Sequence, residues 1–464
     1  MDHSKALGTE PIFRLLFHYS VPAVIGMLVQ VLYTIVDAAF IGHYQGPDGL
    51  AAVTLAFPMT VISTGFSLLV GAGTCSIVSL LLGQRRLEEA ERILGNAVSM
   101  TLVFGVLMVL FVFTISDYYI DRHTNLNADV LQMAKTFLRI TMGFAFLPAI
   151  AYGLNNLIRV QGNPRIAMAT LLVGTFLNIV LNPIFIGYFQ WGVAGSAWAT
   201  VISLALTAVW VIYYFRSSRS LLTLRWKNLK LNWNLCKPIL TIGLAPFLTQ
   251  LASSFQGIVL VGQLAQYGGD NAVAIWGVIY RIVIVIFLVV LGLYQGAQPI
   301  MGYNFGAKQY QRVKQVLLLS IGIACVWCFG VSLIAELFPV MLVRLFTQAT
   351  PELDSLAKVA IRLSLLMTPL MGFQVISSHY FQAVGKPKLS IFLSLTRQFI
   401  ILIPLLIVIP RIWGLIGIWS SFAISDFLSA FLTFLFIRNE LRNLDSGKQS
   451  LSILSSIDNL EMPP

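Results

Sequence analysis

Charge is what this sequence most lacks. Only 11% of its 464 residues are Asp, Glu, Lys or Arg, while 57% are hydrophobic, and the mean hydropathy is +0.83. A water-soluble domain needs a polar surface that this composition does not supply, so the bilayer is read as the solvent of the chain. Cysteine is scarce as well, with only Cys75, Cys236, Cys325 and Cys328. The spacing of Cys325 and Cys328 suits a metal. The pair, however, lies inside an apolar helix with no second pair and no histidine nearby, and is read as core packing. Enzyme signatures are absent: there is no His/Glu metal spacing and no Gly-Lys-Ser/Thr phosphate loop. The loops are also too short to fold an ATPase domain. The chain is therefore not expected to be an enzyme or to carry a cofactor, and uphill work must draw on an ion gradient. One proton moving down 100 mV supplies about 2.3 kcal/mol, enough for roughly fifty-fold accumulation.

What is present in quantity is apolar sequence, in runs of about the 20 residues that a spanning helix requires. Twelve spans are expected, near 19–41, 53–80, 93–115, 132–155, 166–187, 193–214, 238–264, 272–299, 314–336, 356–382, 389–409 and 415–437. Residues 9–18 read as a short interfacial helix ahead of the first span. No cleavable signal peptide is expected in residues 1–18, and the first apolar run is long enough to remain as a span. The net charge of +11 could suggest nucleic acid, but its distribution argues against that partner. Most of the Lys and Arg fall in the N-terminus, the loops after even-numbered spans and the tail, for example Arg85, Arg86, Arg159, Lys308, Lys386 and Arg438. The opposite loops hold acids such as Asp48, Asp129, Asp270 and Glu352. This is the positive-inside pattern, and it predicts a multi-pass protein of the cell (inner or plasma) membrane with both termini cytoplasmic and contacts to anionic lipid.

Fragments of the first half recur about 223 residues later. Gln161-Gly162-Asn163-Pro164-Arg165 returns as Val384-Gly385-Lys386-Pro387-Lys388, Leu82-Gly83 as Phe305-Gly306, and Trp191-Gly192-Val193-Ala194-Gly195 as Trp413-Gly414-Leu415-Ile416-Gly417. Matches at one offset indicate duplication. Because each copy holds six spans, an even number, the two copies enter the membrane the same way round and are related by a pseudo-twofold axis along the membrane normal. The predicted fold is an all-α membrane protein of two six-helix lobes. The predicted parts are an N-terminal lobe (1–215), a cytoplasmic amphipathic linker with Trp226 and Trp233 (216–237), a C-terminal lobe (238–440) and a loose tail (441–464). Substrate sites in such transporters lie between the repeats.

A charged residue at mid-membrane costs about 2.5–3.5 kcal/mol, so each one calls for a reason. At 100° per residue, Gly26, Gln30, Tyr33 and Asp37 form a narrow polar stripe on the otherwise apolar first span. Pro22 sits at the edge of that stripe, 15 residues or about 22 Å from Asp37, and makes a bend cheap there. Dry surroundings favour the neutral form of a carboxyl, which makes Asp37 the leading candidate proton carrier. Asn178 and Asn182 share a face of the fifth span, ahead of Pro183. Asn155 and Asn156 end the fourth span, and Thr200 lies in the sixth. Such amides commonly glue helices together; grouped with Asp37 in one lobe, they read instead as the lining of a cavity. In the second lobe, Asp426 and Arg281 lie at similar depth and suggest an ion pair, with Arg397 as the rival partner. Asp426 is a second candidate proton site, and His379 reads as a satisfied polar residue.

Several of these segments together resemble the multidrug and toxic compound extrusion (MATE) transporters, DinF-type branch. They are Pro22 with Tyr33-Thr34-Ile35-Val36-Asp37-Ala38-Ala39-Phe40-Ile41-Gly42, Gly71-Ala72-Gly73-Thr74 with Leu82-Gly83, Gln161-Gly162-Asn163-Pro164, Leu177-Asn178-Ile179-Val180-Leu181-Asn182-Pro183, and Trp191-Gly192-Val193-Ala194-Gly195. The resemblance covers about residues 10–440. It implies two lobes forming a V that open alternately to either side, and export of diverse, often cationic or amphipathic, organic compounds in exchange for H⁺ or Na⁺. It also implies that Asp37 binds the coupling ion, with Gln30, Tyr33, Asn155, Asn178 and Thr200 around it, and that protonation bends the first span at Pro22. Many relatives carry a second acid where this chain has Asn182. With one carboxylate instead of two, a Na⁺ site is weakened, and H⁺ becomes the expected coupling ion with Na⁺ the alternative. A lipid-linked precursor flippase is a further alternative, but it would need several Arg in the first lobe, where the spans offer little beyond Arg139. A major-facilitator carrier is disfavoured by the loop Gly83-Gln84-Arg85-Arg86-Leu87-Glu88-Glu89. The expected state is a monomer.

Overall fold

The computed structural model describes residues 5–121, 127–344 and 351–447, and among them helix is the regular structure throughout. A bilayer core offers no water to unpaired backbone groups, so a spanning chain satisfies its own hydrogen bonds. Hydroxyl side chains do likewise by bonding back along the helix, as Thr34 does to the Gln30 carbonyl and Thr114 to that of Leu110. Nine of the described helices are long and apolar enough to cross, with one further pair bent by 47° between Ala128–Gly143 and Phe146–Val160. Two of the nine, Ile12–Gly83 and Trp233–Gly306, are each two spans joined at one glycine, Gly46 (φ 64°) and Gly269 (φ 60°). Counted this way, the described residues make up the twelve spans expected.

The spans overrun their apolar cores, most of all toward the end of the molecule that carries the basic loops. Span one starts at Ile12, directly after Pro11, and Leu15, Leu16 and Tyr19 are buried. The expected interfacial helix at 9–18 is thus corrected: most of it is the packed foot of span one, preceded by a short helix at Ala6–Thr9. The linker is stitched to the first lobe. Gln161 Oε1 accepts from the Leu221 and Leu222 amides, Glu91 from Thr223, and Asn96 from Asn232. The last helix runs to Ser446; the remainder of the expected loose tail, 448–464, lies outside the described residues.

The duplication is written into the backbone. Positive φ recurs at Gly46 and Gly269, Arg85 and Lys308, Gly162 and Gly385, and Gly192 and Gly414. Each pair is separated by 222 or 223 residues, so the same turns close both lobes. Packing shows how the lobes meet. One core draws on both lobes, joining Leu80, Leu154 and Leu157 to Ile300, Phe305 and Tyr380 at the basic end. Toward the opposite end the core divides: Ile41, Ala56, Leu138 and Ala197 pack within the first lobe, and Leu264, Ile279, Ile361 and Trp419 within the second. A shared core at one end and two separate cores at the other make a V.

Candidate functional site

Inside the first lobe, spans one, four, five and six enclose a small cavity of about 20 Å³, lined by Gln30, Tyr33, Tyr152, Asn178, Thr200 and Thr207 among others. That is room for about one water molecule. At its upper margin lies half-buried Asp37. Its carboxylate accepts a 2.6 Å hydrogen bond from Ser196 Oγ, and the Asn182 amide lies close enough to act on it. Asn182 Nδ2 reaches Asn178 Oδ1 at 3.0 Å, and Asn178 Nδ2 reaches Thr200 Oγ1 at 3.3 Å. A chain of hydrogen bonds thus leads from Asn182, beside the carboxylate, toward the cavity. Among the described residues no Lys, Arg or His pairs with Asp37, so its partners are neutral.

Local departures from the α-helix shape this group. Span four widens into a π-turn at Ala149–Leu154, just after Pro148, and Tyr152 enters the cavity from it. Span five does the same at Pro183–Tyr188, directly after Asn182, because Pro183 brings no N–H to the ladder. Asn155 is placed elsewhere: its amide donates to the Ala167 carbonyl and to Thr170 Oγ1, about two turns below Asn178 on span five. Pro22 is buried, and helical backbone continues through it. Sequence reasoning missed Ser196 and Tyr152. The first had a signal, since Ser196, Thr200, Ser203 and Thr207 repeat at helical spacing and form one polar stripe along span six.

In the second lobe, the carboxylate of Asp426 is bonded to Arg397 Nε at 2.6 Å, both side chains being well buried. This corrects the expected Arg281 partner: Arg281 is exposed and donates to the Gly277 carbonyl. Arg397 sits in a third π-turn, Thr396–Leu402, and the Ser425 hydroxyl ties down its carbonyl at 2.7 Å. His379 Nδ1 bonds the Val375 carbonyl at 2.8 Å, and the ring packs on Tyr294 with 4.6 Å between centroids. Among the described residues no three His, Cys, Asp or Glu gather as a metal site. A second correction concerns Arg159. Read from the sequence as a loop base, it is only 2% exposed and lies between the lobes.

The family model of MatE matches residues 22–184 and 245–408, two segments set apart by the repeat offset. Among curated proteins, the multidrug export protein MepA of Staphylococcus aureus (strain NCTC 8325 / PS 47) is 29% identical over 435 residues, spanning 92% of this chain and 94% of that one. Among solved structures, an outward-facing multidrug resistance MATE family transporter of the MOP superfamily superposes with a TM-score of 0.89 at 25% identity, covering 96% of this chain and 99% of the other. A MOP superfamily transporter from Pyrococcus furiosus Vc1 (DSM3638), described as having a binding pocket of reversed polarity that suggests a different function, superposes at 0.88 with 25% identity and the same coverage.

Proposed function

We infer the mechanism from one premise: the chain belongs to the MatE family of membrane transporters, and its relatives include multidrug exporters. It is a multidrug exporter acting on small organic compounds, and transport, not catalysis, is its activity. The finer reading is H⁺-coupled antiport by alternating access. The basic end faces the cytoplasm by the positive-inside rule, so the V, closed at that end, opens outward. Cationic or amphipathic compounds would leave through it while Asp37 takes up a proton.

The observation that carries this reading is the Asp37 carboxylate, held by the Ser196 hydroxyl beside the Asn182 amide, with no basic partner among the described residues. An intramembrane acid tied to a cation is locked in its charged form; one held by neutral groups can exist in both forms at modest cost. Proton uptake would rearrange the bond to Ser196 and the contact with Asn182 and, through span one, the lobe beside it. Asp37→Asn should abolish drug resistance in a sensitised cell with membrane expression intact, and abolish drug-triggered proton flux in proteoliposomes. Retained resistance would move coupling away from Asp37; Asp426, the second acid the sequence offered, is tied to Arg397 and by the same argument is held in its charged form. One observation favours a second reading: Asn182 Oδ1 has no hydrogen-bond partner among the described residues, and such a carbonyl beside a carboxylate is a ligand for Na⁺. Flux that requires sodium would replace the proton by that ion.

A further inference from the structure

Arg159 is a buried cation that no acid among the described residues neutralises. It lies in the last turn of the helix Asn155–Val160, at the closed seam between the lobes, and is 2% exposed. Its Nη1 donates to Asn156 Oδ1 in its own lobe and to Gln295 Oε1 in the other. Its Nε has no partner among the described residues. The titratable neighbour that acts on it is the Cys75 thiol, and none of the described ion pairs includes it. A guanidinium stays protonated in a protein, so the closed seam holds a full positive charge against two neutral oxygens. The carbonyl end of its helix offsets part of that charge, yet a buried ion without a counter-ion remains costly.

The repeat shows that the fold does not demand this charge. One repeat offset on from Arg159 stands Gln382, equally buried at 2% and neutral. Asn156 and its repeat mate His379 are both partly accessible, as is Gln295. The guanidinium therefore lies just beneath a partly accessible polar layer, in one lobe only. Separation of the lobes at this end would take Gln295 away and admit water to the guanidinium, relieving its desolvation.

We propose that Arg159 is a charge-loaded spring in the cytoplasmic seam, its buried guanidinium destabilising the closed seam and so setting the balance between outward-open and inward-open forms. This rests on the alternating-access reading above. It makes Arg159 a positioning residue, acting through Gln295, and it predicts the opposite of a simple tie. If the Arg159–Gln295 bond merely held the lobes together, removing it would loosen the seam. If the charge strains the seam, removing or pairing the charge tightens it.

The test is the distance between spin labels at Asp48→Cys and Asn271→Cys, exposed positions at the outer ends of the two lobes, in an otherwise cysteine-free protein in lipid. Arg159→Met should raise the ratio of outward-open to inward-open molecules about tenfold. Gln295→Glu, which places a carboxylate against the guanidinium, should do the same without removing the arginine. Arg159→Lys, which keeps the charge, should stay near the parent ratio. Efflux in proteoliposomes should slow in the first two variants and persist in the third. A shift toward inward-open in Arg159→Met, or no shift in Gln295→Glu, overturns the proposal. Because the distances are read without drug or ion gradient, they report on the spring even if proton coupling at Asp37 fails its own test.

Discussion

At the scale of the residue, the site around Asp37 separates groups that touch the carboxylate from groups that touch only its neighbours. A hydrogen bond to a charged group contributes about 1.5–3 kcal/mol, and one between neutral groups about 0.5–1.5. Ser196 donates to the carboxylate at 2.6 Å, whereas Thr200, among the described residues, meets only the Asn178 amide, at 3.3 Å. Ser196→Ala should therefore slow efflux in proteoliposomes about tenfold, and Thr200→Ala less than about threefold. Equal losses in the two variants would mean that Asp37 is not where their effects converge. Of this site, Asp37, Asn178 and Asn182 were legible because a polar side chain in an apolar helix stands out. Ser196 was not, because a small hydroxyl among Gly195 and Ala197 also reads as close helix packing. Arg159 was hidden by a different cause. Two residues before a glycine turn, hydropathy alone places it in a loop, and only the path of its side chain between the lobes reveals that it is buried.

At the scale of the element, the spans were legible because a membrane admits only self-satisfied helices, while their extensions at the basic end were not. Those extensions carry charged residues, so they look like loops until their partners are known. Lys386, in a turn repeated from the first lobe, bonds both oxygens of Glu440 at 2.7 and 2.8 Å, and Tyr380 Oη adds a third bond at 3.1 Å. Glu440 lies in the helical extension of the last span and is buried. The neighbouring pair, Lys314 with Asp445, has a similar 2.8 Å geometry but faces solvent. There Lys314 holds the Asp445 carboxyl below its ordinary range, and exposure leaves such a pair little weight in stability. Burial decides between the two. Lys386→Met takes the cation away from a carboxylate in the packed interior and should destabilise the protein by about 3 kcal/mol. Asp445→Asn should leave the thermal midpoint in detergent within error of the parent. The failed expectation for Asp426 has an element-scale cause too: depth counted along spans eight and twelve matched Arg281, but depth ignores rotation about the helix axis. The π-turn in span eleven instead carries Arg397 to the acid.

At the scale of the molecule, the V is closed by a seam that the duplication made nearly symmetric. A Cβ on Gly83 would lie 2.0 Å from the Tyr303 carbonyl oxygen, and one on Gly306 would lie 2.1 Å from that of Leu80. Each contact is the other's repeat mate, and both partners are backbone, which cannot rotate aside as a side chain can. A methyl group at either position must push the lobes apart at the basic end. Overpacking of this kind costs about 1–3 kcal/mol, and each 1.4 kcal/mol shifts a two-state balance about tenfold. The cost falls on the closed seam alone, because an open seam has room for the methyl. Gly306→Ala should therefore favour the inward-open form, opposite in direction to Arg159→Met, although both substitutions act on the same interface. Ser79 is buried at this seam, its Cβ lying 2.7 Å from where a Cβ on Gly302 would stand. A thiol there is sealed while the lobes are closed at that end. In a Ser79→Cys background without the native cysteines, a membrane-impermeant thiol reagent applied from the cytoplasmic face should label the Gly306→Ala variant about tenfold faster than its parent. Gly322→Ala is the control, since nothing lies within 4 Å of a Cβ at that site, and it should leave labelling unchanged. If Gly306→Ala labels no faster than this control, the close approach of the glycines does not govern opening, and the seam must be held by the apolar core around it.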